Sequence, residues 1–174
     1  FRLYTEDAFL KLSPSTVPEI QRMNLTSLVL QLKALRIDDI LHFDFLTPPP
    51  MESITSAFKL GYALGALDKD FQLIEPLGLR IAEFPADPLL ARMMLSSAHY
   101  GCSEEAITIA AMLSVQNVFV GGGENKSQAD RAKREFAVHE GDHITMLNVY
   151  NSFLAANGSV ARCKEKGIKP RAMQ

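Results

Sequence analysis

Glu140-Gly141-Asp142-His143-Ile144-Thr145-Met146-Leu147-Asn148-Val149-Tyr150-Asn151-Ser152-Phe153 has the form of a helix start followed by a nearly all-apolar helix. Glycine followed by aspartate suits a helix start better than a helix interior, because glycine tolerates non-helical backbone and an aspartate oxygen can accept a first-turn amide. The sequence therefore predicts a helix capped by Asp142. Its spacing sets Met146, Val149, Tyr150 and Phe153 on one side and Ile144, Leu147 and Leu154 on another, so its neighbours are expected to enclose most of it.

Upstream of this helix, everything from Asp87 reads as helical. Pro88 opens a helix that carries Leu90, Met93 and Met94, and Ser103 is expected to cap the next, with Glu104 and Glu105 favourably placed near its positive end. A further helix is expected over Ser127 to Val138, with Ala129, Ala132 and Phe136 inward. The first half is different. Thr16 is expected to cap a helix with Pro18 in its first turn and Leu25, Leu28, Val29, Leu32 and Leu35 at helical spacing. Pro48-Pro49-Pro50 stops what precedes it, and a second helix follows with Ile54, Ala57, Phe58, Gly61 and Leu64 on one face. A glycine in mid-helix costs roughly 0.5–1 kcal/mol relative to alanine, so a close helix approach is expected at Gly61. Phe71-Gln72-Leu73-Ile74 and Leu79-Arg80-Ile81 read as short strands separated by the turn Glu75-Pro76-Leu77-Gly78. Two helices and a hairpin form the pattern of a winged helix, although periodicity alone leaves that reading open.

Two signatures carry a resemblance to a known family. The run Glu140–Phe153 looks like the ratchet segment of a DEAH-box RNA helicase, and Leu77-Gly78-Leu79-Arg80-Ile81-Ala82-Glu83-Phe84-Pro85-Ala86-Asp87-Pro88 resembles that family's junction between wing and ratchet. Pro18–Leu25, Phe43–Pro50 and Tyr62–Asp68 are similar to its winged-helix region, and Ser114–Phe119 to a ratchet motif of the splicing-associated subgroup. Phe1-Arg2-Leu3-Tyr4-Thr5-Glu6 resembles the last strand of the second motor domain. The resemblance implies a mainly α chain in three parts. Residues 1–15 would be the tail of a RecA-like motor domain, 16–81 a winged-helix domain with a small β wing, and 82–174 an all-helical ratchet-like bundle cut before a further C-terminal domain. It also implies a parent enzyme that uses ATP and Mg to move 3′-to-5′ along single-stranded RNA, in the nucleus, among spliceosomal proteins. The motor domains of the same polypeptide and a G-patch activator protein would be its partners. The sequence departs from the family pattern at Gly61, usually leucine, at Glu135, often basic, and at Arg162, usually tryptophan.

Composition bounds these expectations. With 174 residues and 47% hydrophobic content the chain is large enough for packed cores, and its net charge of −2 and pI of about 6.1 give no whole-chain attraction to nucleic acid. Any RNA contact must use local patches. Cys102 and Cys163 lie far apart, and no apolar run is long enough to span a bilayer, so a reduced intracellular compartment and no membrane partner are expected. Lacking an initiator methionine, the chain reads as a piece cut from a longer polypeptide. A phosphate-binding loop needs two glycines, a lysine and a hydroxyl at fixed spacing, but Val120 and Asn125 stand where the glycines belong in the nearest approach, ending at Lys126-Ser127. No Asp-Glu-Ala-His and no G-x-S-x-G occurs, so no catalytic residue, no cofactor and no ATP hydrolysis are expected of this chain alone.

Four groups of residues compete for a functional reading. His139-Glu140-Gly141-Asp142-His143 matches the H-E-x-x-H zinc pattern, which works only when one continuous helix carries both imidazoles; a helix starting at Asp142 breaks that condition, and no metal is expected. His143 then becomes a first-turn residue at a helix end suited to phosphate. Gln116 and Asn117 interrupt an apolar run between Met112 and Val120, where they would serve either as a helix-end cap or as RNA contacts. Lys126, Arg131, Lys133 and Arg134 form a basic cluster, by default a solvated face. On the helicase reading, Gln116, Asn117, Lys133, Arg134 and His143 are the candidate RNA-binding residues. Arg162, Lys164, Lys166, Lys169 and Arg171 oppose only Glu165 near the C-terminus and are expected to form a solvated, partly frayed end. The principal alternative is a helical protein-interaction module with an exposed apolar patch on residues 18–67. A free-standing winged-helix DNA binder is disfavoured, because the segment Ile54–Leu67 carries only Lys59 for a groove.

Overall fold

A computed structural model describes residues 3–120 and 133–173. The backbone divides into two compact units, residues 1–88 and 89–174. The described residues are mainly helical, and their only β pairing is two isolated bridges.

In the first unit a short helix, α1 (Glu6–Leu10), has Thr5 as its N-cap and buries no residue. Residues 3–5 are bends and coil, so the strand expected at the chain start is absent from the described residues. Glu19–Gln21 forms a single 3₁₀ turn and the chain breaks before α2 (Thr26–Ala34). Thr16 therefore does not start the α2 helix. Asn24 does that work: its Oδ1 accepts hydrogen bonds from the Thr26 N–H at 2.8 Å and the Thr26 hydroxyl at 2.6 Å. A short polar side chain that captures an amide two residues ahead sets the turn from which a helix can begin.

Helix α3 (Met51–Ala63) follows the three prolines and buries Ile54, Ala57 and Gly61, the face expected from its spacing. A Cβ at Gly61 would sit 2.7 Å from Leu67 Cδ1 and 3.6 Å from Leu30 Cδ2 of α2, so the close approach is real. Its tightest neighbour, however, is the chain just past the helix end.

The wing differs from expectation. Leu67 and Leu73 form an antiparallel bridge around a turn in which Asp68 Oδ1 accepts from the Asp70 and Gln72 amides, both at 2.8 Å. The second expected strand, Leu79-Arg80-Ile81, instead lies inside helix α4 (Leu77–Glu83), which buries Gly78, Ile81 and Ala82. Three alternating residues are too few to separate a strand from one turn of helix. The buried set Gly78, Ile81 and Ala82, at i, i+3 and i+4, carries the helical period. Helices α3 and α4 both pack on α2, and Leu25, Leu30, Ile40, Leu67 and Ile81 are at most 1% exposed. Burying each such side chain stabilises by about 1.5–3 kcal/mol.

The second unit holds α5 (Pro88–Tyr100), α6 (Ser103–Ser114), α7 (Asp142–Ala155) and α8 (Val160–Glu165). Pro88 opens α5 as its fixed φ favours. Cys102, not Ser103, occupies the N-cap of α6, with Glu104 and Glu105 in the first turn. Packing of α6 on α7 organises a core of Met112, Val118, Val149, Cys163, Ile168 and Met173, with Phe136, Met146, Tyr150 and Phe153 against it. Thr145 and Val149 of α7 are buried and Ile144, Met146, Leu147, Asn148 and Tyr150 are part-buried, so the expected enclosure holds over 144–150, while Leu154 near the C-terminal end is 52% exposed.

Candidate nucleic-acid interface

Helix α6 ends at Ser114, and Val115 turns the backbone to extended geometry. Gln116 and Asn117 follow, both exposed, with Asn117 at φ +54°, a left-handed conformation that asparagine tolerates better than most residues. Neither amide is buried, so neither carries a desolvation penalty, and neither caps α6. The turn is held from its far side. The carbonyl of buried Val118 accepts from the Lys169 N–H at 2.9 Å, the Val120 N–H donates to the Gly167 carbonyl at 2.8 Å, and Phe119 bridges Ile168.

Lys133 and Arg134 are exposed on a helical turn at 133–136, while Phe136 of the same turn packs on the core. Lys126, Arg131 and the first half of the helix expected over 127–138 lie outside the described residues. Glu135 makes an ion pair with Lys166. This contact sets the 133–136 turn beside the C-terminal basic stretch, a proximity that no sequence spacing signals. That stretch is not frayed: Cys163, Ile168 and Met173 are at most 6% exposed in the core, and the bonds to Val118 and Val120 fix its backbone. The cations of residues 162–171 thus ride on a packed segment.

At the start of α7, Gly141 is the N-cap, at φ +104° and ψ −174°, a region natural to glycine and strained for other residues. Asp142 is the first helical residue and makes no capping bond, so the cap expected of it lies one residue earlier. Its carboxylate acts through charge near the helix N-terminus. Thr145 closes the first turn, its hydroxyl donating to the Gly141 carbonyl at 3.0 Å and accepting from the Val138 N–H at 3.4 Å. His143 is exposed in this turn, and His139 precedes the cap, so no continuous helix presents both imidazoles. Among the described residues no group of three or more His, Cys, Asp or Glu is placed to hold a metal.

The structure therefore joins the Gln116-Asn117 turn, the Lys133-Arg134 turn and residues 162–171 through named contacts. No hydrogen bond or ion pair links His143 to them among the described residues. What this arrangement can do chemically is to offer exposed cations and amides to an anionic strand.

A second feature lies in the first unit. A groove of about 380 Å³ is floored by Ile40, Leu41, Met51, Phe58 and Phe71 and edged by Asp38, Asp39, Asp70 and Lys59. Lys33, buried beneath it, donates to the Asp38 carbonyl at 3.1 Å and to its carboxylate at 3.2 Å. The hydrogen bond from His42 holds the Asp39 carboxyl below the usual carboxylate range. The family resemblance implies an apolar patch on residues 18–67, but Phe71, at φ +56° and with its ring tilted against Phe58 at 5.0 Å between centroids, lies beyond that range.

Residues 87–146 match the family model described as "Helicase associated domain (HA2), ratchet-like". Over 165 residues, 95% of the chain, it is 57% identical to the probable ATP-dependent RNA helicase DHX35 of Pongo abelii and 56% identical to that of Homo sapiens, covering 23% and 24% of those proteins. It is also 45% identical, over all of its length and 15% of the relative's, to the pre-mRNA-splicing factor ATP-dependent RNA helicase prp22 of Schizosaccharomyces pombe. The chain spans about a quarter of the length of the first two relatives. The sequence signatures, the helical second unit and these matches agree: the chain belongs to the DEAH-box RNA helicase family and contains its ratchet-like helicase-associated domain.

Proposed function

We propose that this chain is the accessory region of an ATP-dependent RNA helicase, which holds single-stranded RNA against the motor domains of the same polypeptide during 3′-to-5′ translocation in pre-mRNA splicing. The observation that carries the reading is the exposed pair Lys133 and Arg134 on a turn anchored by Phe136, linked through residues 166–169 to the turn that bears the exposed amides of Gln116 and Asn117. Cations of this kind hold phosphates without reading base sequence, which suits a strand that must slide. His143, exposed in the first turn of α7, is a further contact at a helix end whose amides favour anions. On this reading residues 16–81 are a winged-helix domain whose wing is reduced to the Leu67–Leu73 bridge, residues 82–174 the ratchet, and residues 1–15 the tail of a motor domain. ATP and Mg belong to the motor domains, and the parent protein works in the nucleus among spliceosomal proteins.

The test is Lys133→Ala/Arg134→Ala in the intact protein. RNA-stimulated ATPase and unwinding fall for every RNA sequence while basal ATPase stays near the parent value. The salt dependence of RNA binding becomes shallower by about 1.4 units, at roughly 0.7 per phosphate contact on a single strand. Unchanged slope and unchanged unwinding would reduce the pair to an ordinary solvated face.

A second reading has one observation in its favour. The groove of the first unit, with Leu41 51%, Met51 59% and Phe71 41% exposed, offers an apolar seat for a G-patch activator protein, which would make residues 1–88 a docking surface without RNA contact. Met51→Asp would then abolish activator stimulation and leave RNA binding unchanged.

A further inference from the structure

We infer that Lys164, Lys169 and Arg171 continue the phosphate-binding surface begun by Lys133 and Arg134, and that Glu135 is its internal anion, withholding Lys166 until a strand phosphate displaces it. This rests on the RNA-holding reading and extends it to residues that sequence alone assigns to a solvated end.

The first support is charge. Residues 133–135 and 162–171 hold seven of the chain's 18 Lys and Arg but only two of its 20 Asp and Glu, so these short segments are strongly positive in a chain of net charge −2. The remainder is acidic. A polyanion drawn to this chain therefore finds its favourable field here and repulsion elsewhere. The second support is rigidity. Cys163, Ile168 and Met173 anchor the stretch in the core, and its backbone is bonded to Val118 and Val120, so the cations project from a fixed segment rather than a free tail.

The third support is the ion pair between Glu135 and Lys166, which bridges the two basic segments. Glu135 is 57% exposed and Lys166 29%, so solvent screens the pair and a phosphate can compete for the ammonium. An acidic protein could also exploit the cations. The exposed amides of Gln116 and Asn117, which adjoin the Val118 carbonyl bonded to Lys169, favour RNA, because they can donate to and accept from sugars and bases as well as phosphates.

The experiment titrates a fluorescent oligouridylate of about twelve nucleotides against the intact protein over a salt series, at roughly 0.7 unit of slope per phosphate contact. Lys164→Gln/Lys169→Gln/Arg171→Gln is expected to make the slope shallower by about 2 units, and Glu135→Gln, which frees Lys166, to make it steeper by about 0.7. The charge-retaining Lys164→Arg/Lys169→Arg/Arg171→Lys keeps the parent slope; a slope lost there as well would overturn the inference, since charge would not be the cause. A neutral triple variant with parent slope would also overturn it, and if Lys133→Ala/Arg134→Ala still flattened the slope, the RNA-holding reading would survive alone. Parent slope in the neutral variant together with lost binding of polyglutamate would assign the stretch to an acidic protein partner instead.

Discussion

Replacing Gly78 with alanine is expected to destabilise the first unit, even though alanine is the better helix former. Gly78 is the second residue of α4, and a Cβ there would lie 2.3 Å from the carbonyl oxygen of Ala66 and 3.1 Å from its carbon. That oxygen accepts the Ile74 N–H at 2.9 Å, and Ile74 in turn accepts the Gly78 N–H, so the clash strikes the hydrogen bonds that seat α4 against the Leu67–Leu73 bridge. Backbone cannot swing aside as a side-chain tip can. Overpacking costs about 1–3 kcal/mol and a weakened buried hydrogen bond about another 1, against a helix-propensity gain of up to about 1; the net loss is about 1–3 kcal/mol. Gly61→Ala provides the contrast, because its new Cβ meets the flexible end of Leu67, and its expected loss is under about 1 kcal/mol after the same propensity gain. Urea titration followed by circular dichroism at 222 nm measures both. If Gly78→Ala proved as stable as the parent, or no worse than Gly61→Ala, the close backbone approach would be refuted.

Other substitutions probe the remaining joints. Asn24→Ala removes two hydrogen bonds to Thr26 and leaves its buried hydroxyl without that acceptor, for an expected loss of about 1–3 kcal/mol in the same titration. Asp142→Ala should cost only about 0.3–1 kcal/mol, a helix-dipole effect that shrinks in high salt, whereas loss of a true cap would persist there. His139→Ala, at an exposed site, is expected to leave the melting temperature within a degree or so of the parent. Ile168→Ala should cost about 2–5 kcal/mol and expose the following residues to protease, while a frayed end would show neither effect.

Much of the fold was legible where strong local signals coincided. Gly141 and Asp142 marked the start of α7 to within one residue, Pro88 the start of α5 and the three prolines the start of α3. The misreadings share a physical cause: a short window with two meanings. Leu79-Arg80-Ile81 alternates like a strand, yet Gly78, Ile81 and Ala82 stand at i, i+3 and i+4 and form the buried side of a helix. Thr16 and Pro18 looked like a start, but they precede only a 3₁₀ turn, and Asn24 supplies the side-chain bond that begins α2. At the C-terminus, Cys163, Ile168 and Met173 recur every five residues, a spacing that fits neither helix nor strand, so dense charge hid a packed segment. The candidate site was legible as residue types and not as a surface. Lys133 and Arg134 stood out as cations, but their link to residues 162–171 depends on Glu135 reaching Lys166 across 31 positions.

The most direct test of the central claim is photo-crosslinking of 4-thiouridine-labelled single-stranded RNA to the intact protein, with mapping of the attached peptides. Crosslinks are expected in the second unit, on peptides containing 116–119, 133–143 or 162–171, and high salt should reduce them together. Crosslinks confined to residues 1–88 and the motor domains, with none in the second unit, would contradict the claim that this chain holds the strand there.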